Sequence, residues 1–193
     1  MNRVVVPNVW NSLRVFLART FPRTKIQAAK AHAVSSRIRA LNCRPYPLEI
    51  LNVLDTFDDG GSQVIDPKKY DNKKLLQELF ERKYQVPFSP QAFRDLSLKL
   101  LNKADAIVVA TPHDVGFEVA YNIYAGTRAP VFVAVSDQDE QKVSNTKYML
   151  EEQDSPVPFE YCYFNEPEEM EEPLARFLAN VAMRKGIPPF HED

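Results

Sequence analysis

The sequence predicts an α/β fold: a five-stranded, mostly parallel sheet with helices on both faces. Three observations point there. Five apolar runs of strand length are distributed along the 193 residues. The middle runs are continuously apolar rather than alternating, which is the pattern of strands buried on both faces. Helical segments lie between the runs, and alternation of strand with helix is the signature of parallel pairing through crossovers.

The elements follow in order. The first apolar run covers residues 13–18 (LRVFLA) and leads to a helical segment, 25–41, with Val34, Ile38 and Leu41 at helical spacing. The second run is 48–54 (LEILNVL). A long connection then runs from Asp55 to Asp105. It holds a polar loop (Asp58-Asp59-Gly60-Gly61), a charged helix near 73–83 and a helix over 90–103 carrying Phe93, Leu96 and Leu100. The chain thus reads as a single domain, 1–193, with an inserted rim or lid at about 56–90. The third run, 106–111 (AIVVAT), precedes a helix at 117–125; the fourth, 130–135 (PVFVAV), precedes one at 138–152. After the fifth, 159–164 (FEYCYF), the last helix, 166–184, has the clearest stripe: Met170, Leu174, Phe177, Leu178 and Val181. Pro167 stands near its start, where proline is tolerated. Five strands of this kind suggest the flavodoxin-like order 2-1-3-4-5.

Composition narrows the function. Apolar residues are 45% and charged residues 26%, the balance of an ordinary globular protein, and the net charge of −2 draws in neither nucleic acid nor an anionic membrane. No apolar run reaches about 18 residues and the first ten residues lack a signal-peptide core, so no membrane partner and a cytoplasmic setting are expected. Cys43 and Cys162 lie far apart without metal-ligand spacing, so neither a disulfide framework nor a metal site is expected. The five glycines are too scattered for a Walker loop or a dinucleotide-binding loop.

In an open parallel sheet ligands bind beyond the carboxyl ends of the strands, where the strand order reverses. In the order 2-1-3-4-5 that point lies between strands one and three, at loops 19–24 (RTFPRT) and 112–118 (PHDVGFE). The second loop offers His113, Asp114 and Glu118, with Glu118 at a helix start where the dipole favours a carboxylate. A plainer reading makes Glu118 a helix-start acid and Asp114 its N-cap. Asp95 sits within an amphipathic helix, either at the edge of the site or as a solvated acid beside Arg94 or Lys99. In the first loop Thr20 suits a phosphate and Phe21 a planar ring; capping and packing are the alternatives.

The stretch 93–135 (FRDLSLKLLNKADAIVVATPHDVGFEVAYNIYAGTRAPVFVAV) resembles the nucleoside 2-deoxyribosyltransferase family, which includes the deoxynucleoside 5′-monophosphate N-glycosidases. The resemblance rests on Asp95-Leu96, Ala104-Asp105, Asp114, Gly116-Phe117-Glu118-Val119 and Pro130-Val131. Residues 14–18 and 159–179 are similar to the family's first strand and its last strand and helix. The resemblance implies Glu118 as nucleophile and Asp95 as its neighbouring acid. Asp114 would be the loop acid, four positions before the Glu where the family usually has six. It also implies a contact from Phe16 (where the family usually has Tyr) and one from Asn145, lent by a neighbouring subunit, with Lys147 competing for that place; Thr20, Phe21, His113 and Gly116 are further candidate substrate contacts from the two loops.

The reaction implied is cleavage or transfer of the N-glycosidic bond of a nucleoside or nucleotide through a covalent glycosyl–Glu118 intermediate, with no cofactor. Asp95 and Glu118 are expected to lie close, so that one pKa is pushed up. Phe117, Tyr121 and Tyr124 recur at helical spacing, and a homodimer through helices 117–125 and 138–152 is expected. Two other readings remain open. One is a flavoprotein similar to the NADPH-dependent FMN reductases, on residues 104–112 (ADAIVVATP). The other is a non-catalytic nucleotide-binding domain of the same fold.

Overall fold

A computed structural model describes residues 12–18, 37–38, 41, 48–51, 72–110, 115–136, 147, 150–151 and 155–187. Its sheet has five strands: β1 (Leu13–Ala18), β2 (Leu48–Leu51), β3 (Ala106–Val109), β4 (Val131–Ser136) and β5 (Phe159–Phe164). Every pairing is parallel and the order is β2-β1-β3-β4-β5, as the apolar runs predicted. The described helices are α1 (Asn72–Tyr84), α2 (Pro90–Leu101), α3 (Gly116–Tyr124) and α4 (Glu171–Arg184), the last preceded by a 3₁₀ turn, Pro167–Met170. Arg37, Ile38 and Lys147 are also helical, within the segments expected at 25–41 and 138–152; most of both segments lies outside the described residues.

The continuous apolar runs have a direct cause: both faces of the sheet are covered. On one face Leu13, Val15 and Leu17 join Val108, Phe132, Ala134 and Phe164 against Ile38 and against Leu174, Phe177, Leu178 and Val181 of α4. On the other, Phe16, Ala18, Ile107, Val109, Val131, Val133 and Val135 meet Leu101 of α2, Val119 and Ile123 of α3, and Leu150. Val108, Val109, Val131 and Val133 are all 0% exposed, so none of these positions would accept a polar residue.

Several boundaries differ from the sequence reading by a residue or more, two of them at the last helix and the third strand. The last helix begins as a 3₁₀ turn at Pro167 and becomes α-helical at Glu171. At its acidic start Arg37 pairs with Glu168 and Glu171 and ties the first helical segment to it. The third strand ends at Val109, although the N–H of Ala110 still donates to the carbonyl of Ala18 at 2.9 Å.

The stripe of α2 turns toward the inserted segment rather than only toward the sheet. Phe93, Leu96 and Leu100 pack with Phe88 and Tyr84 around Phe80 of α1, which is 0% exposed. The rings of Phe80 and Phe88 meet edge to face at 5.4 Å. Ser89 caps α2, its hydroxyl accepting from the N–H of Ala92 at 3.0 Å, and Pro90 occupies the first helical position. The carboxyl-terminal part of the insertion is thus a helix packed onto α2 through its own small aromatic core.

Asp105 explains the Ala-Asp pair before β3. Its carboxylate accepts from the backbone N–H of Arg14 at 3.0 Å and from the Arg14 guanidinium at 3.1 and 3.2 Å, and Lys185 stands 3.4 Å away. It clasps the amino ends of β1 and β3 to the end of α4, opposite the end where ligands bind. Burial opposes its ionisation, but the hydrogen bonds and charge of Arg14, with help from Lys185, outweigh burial and hold its pKa below the usual carboxylate range. A lowered folded pKa contributes stability above the unfolded value of about 3.9, and that stability is lost as pH falls through the folded value. Asp105→Asn should therefore show a smaller drop in urea midpoint between neutral and strongly acidic pH than the wild type. Equal drops would show that the clasp contributes no pH dependence.

Candidate functional site

The strand order fixes where a site belongs. From β1 the chain turns to β2 on one side, and from β3 it turns to β4 on the other. The reversal falls between β1 and β3, and the crevice beyond their carboxyl ends is where open α/β sheets bind ligands. The segment leaving β3 on that side opens α3, and Glu118 lies in its first turn.

Glu118 is held from two directions. Val115 and Val119, 1% and 0% exposed, anchor the start of α3 in the core beneath it. The N-cap position is Val115, whose own side chain makes no cap; Asp114, the N-cap of the plainer reading, lies outside the described residues. The Glu118 carboxylate receives its own backbone N–H, while Oε2 is buried with no hydrogen-bond partner. Burial raises the pKa of Glu118, and the hydrogen bond from its backbone N–H only partly offsets this. The positive end of the helix dipole acts in the same direction as that hydrogen bond. A buried carboxylate oxygen without a donor is uncommon in folded proteins, which makes Glu118 a candidate functional group.

The other expected residues fall into three groups. Gly116 is the first residue of α3, two positions from Glu118. Phe16 is on the same face of the sheet as Val115 and Val119 and is 3% exposed, so it supports the site from below as packing. Asp95 is exposed on α2. The expected cause of a raised pKa, repulsion between Asp95 and Glu118, is not what raises Glu118; burial is. Asp114, His113, Thr20, Phe21 and Asn145 lie outside the described residues. Lys147, which competed for the place of Asn145, pairs with Glu151 at 3.7 Å.

Two residues that sequence reasoning passed over help shape this region. Asn122 is 0% exposed and forms a paired bridge to one backbone unit: its amide donates to the Ala129 carbonyl at 2.9 Å and its carbonyl accepts from the Ala129 N–H at 2.9 Å. That bridge fixes the end of α3 to the turn entering β4. The turn is tight, because a Cβ at Gly126 would come within 3.0 Å of the Asn122 Cα and 3.2 Å of the Tyr121 carbonyl. The second is Tyr161 on β5, whose hydroxyl is also buried and unpartnered. Alternation along β5 gave no signal for it, since its face-mates Phe159 and Tyr163 are 37% and 47% exposed.

Among the described residues, no group of three or more His, Cys, Asp or Glu is placed to hold a metal ion. Among them, too, no helix is long and apolar enough to cross a membrane. Comparison of the sequence with protein-family models and with curated proteins gives no match.

Proposed function

We propose that the protein cleaves or transfers the N-glycosidic bond of nucleosides or nucleotides, deoxynucleosides among them, with Glu118 as nucleophile. One observation carries this reading. A carboxylate stands in the first turn of the helix that follows β3, beside the strand-order reversal, with one oxygen buried and unpartnered. The resemblance of residues 93–135 to the nucleoside 2-deoxyribosyltransferases supports the same assignment.

In this mechanism a Glu118 oxygen attacks the anomeric carbon as the bond from that carbon to the base nitrogen breaks. The base leaves with a proton from a second acid. Asp95 and Asp114 are the candidates, and Asp95, being exposed, would have to act from the mouth of the site. Water, or a second base, then attacks the same carbon and frees Glu118. The water route gives a hydrolase and the base route a transferase, and neither requires a cofactor. The setting we propose is cytoplasmic.

The test is incubation of the purified protein with a panel of nucleosides, deoxynucleosides and their monophosphates, reading free base. Release of base from at least one, absent in Glu118→Gln, is the expected result. No release from any of them, with bound FMN in its place, would favour the flavoprotein reading. No release and no FMN would leave a non-catalytic domain of this fold.

The proposal extends to a homodimer. Phe117 and Tyr124 of α3 are 52% and 65% exposed, more than large aromatic side chains usually are. Tyr121, between them, is partly covered and bonded through its hydroxyl to Asn102 at 3.0 Å. By the family resemblance, the second copy would also lend its Asn145 to the site. Light scattering at micromolar concentration should give the mass of two or more chains; the mass of one chain together with full activity would rule the assembly out.

A further inference from the structure

Among the described residues, two buried side-chain oxygens lack a hydrogen-bond partner: Glu118 Oε2 and Tyr161 Oη. Both lie on one face of the sheet. Tyr161 packs against the same core cluster that holds Val115 and Val119, the residues flanking Glu118 in the first turn of α3. The strand register sets the level. Ala18, Val109, Val133 and Tyr161 form one row across β1, β3, β4 and β5. Val109 is the last residue of β3, so Tyr161 stands level with the carboxyl end from which the chain proceeds to α3. With about 4.8 Å between neighbouring strands, β5 lies about 10 Å from β3, with β4 between them.

The ring of Tyr161 is fixed in place. It meets Phe159 edge to face at 5.7 Å and stacks on Tyr163 at 6.3 Å. Burial first, then the charges of Glu151 and Tyr163, push its phenol pKa up, so the hydroxyl keeps its proton and remains a donor at neutral pH. A buried donor and a buried acceptor left unpaired on one face are both accounted for if a polar ligand completes them.

We propose that Tyr161 and Glu118 face one polar chamber, in which Tyr161 is a substrate-positioning residue whose O–H donates to a hydroxyl of the bound sugar. The identity of the ligand rests on the glycosidic reading; the shared chamber does not. Tyr161 holds the sugar at a distance from the bond that breaks, so its removal acts on binding more than on chemistry.

Tyr161→Phe removes the one oxygen and keeps the ring. In the ligand-free protein the titration midpoint of Glu118, followed by carboxyl ¹³C NMR, should move up by about half a pH unit or more, because the chamber loses a polar wall. Tyr163→Phe, on the same strand and face but 47% exposed, should leave that midpoint in place. With a nucleoside that the wild type cleaves, Tyr161→Phe should raise KM about tenfold, with a smaller change in kcat, as loss of one substrate hydrogen bond predicts. An unchanged Glu118 midpoint in Tyr161→Phe would overturn the shared chamber. A shifted midpoint in a protein whose wild type releases no base from any nucleoside would support the chamber and overturn the glycosidic reading instead.

Discussion

Glu118→Gln should lower base release by about 10⁴-fold or more, because it removes the carboxylate proposed to form the covalent intermediate. The substitution keeps volume and shape, so the loss will not come from unfolding. The linkage argument sharpens this. The folded pKa of Glu118 is raised by burial, so its contribution to stability is present below the unfolded value of about 4.3 and is lost as pH rises through the folded value. A neutral glutamine escapes that loss. The variant should therefore be at least as stable as the wild type at neutral pH while being inactive. For the same reason the rising limb of kcat/KM against pH in the wild type should lie above the ordinary glutamate range, since the nucleophile must ionise against its burial. Retention of near wild-type base release by Glu118→Gln would end the mechanism proposed here.

Asn122→Ala carries the largest expected cost in stability. It leaves both the N–H and the carbonyl of Ala129 without their partner in a fully buried position. Each such group costs about 1–3 kcal/mol, so a loss of about 2–4 kcal/mol is expected, against about 5–15 kcal/mol for a whole domain. Asn122→Asp should not rescue it: the carboxylate can still accept from the Ala129 N–H but turns an oxygen toward the Ala129 carbonyl. A urea titration reads both variants. A change of under about 1 kcal/mol for Asn122→Ala would mean that the turn opens enough for water to replace the amide.

Asn122 also shows where sequence reasoning stops. It sits in the stretch Phe117–Tyr124, whose spacing of Phe117, Tyr121 and Tyr124 correctly marked a helix with an incompletely covered aromatic side. Nothing in that spacing says that an asparagine on the opposite side is buried, because its partner is a backbone unit seven positions on, reached only when the turn folds back. Asp105 is similar. As part of an Ala-Asp pair it was a motif; as a structure it is a clasp on Arg14, 91 positions earlier. Asp95 teaches the reverse: its helix was correctly placed, but its relation to Glu118 depends on which way α2 is rolled. The aromatic core around Phe80 helps set that roll.

The sequence by itself determined the architecture. Continuous apolar runs demand burial on both faces, alternating helices demand parallel crossovers, and together these led to the order β2-β1-β3-β4-β5 and to the strand-order reversal where a site belongs. It also determined that Glu118 opens the helix after β3. Only the tertiary structure decided that one Glu118 oxygen is buried and unpartnered, that its pKa is raised by burial and not by Asp95, and that Tyr161 stands level with the last residue of β3. The physical reason is one of range. Apolar periodicity is a local property that a strand or helix imposes on its own residues. Desolvation and hydrogen-bond satisfaction are set by atoms that arrive from other elements, and no local pattern records which atoms those will be.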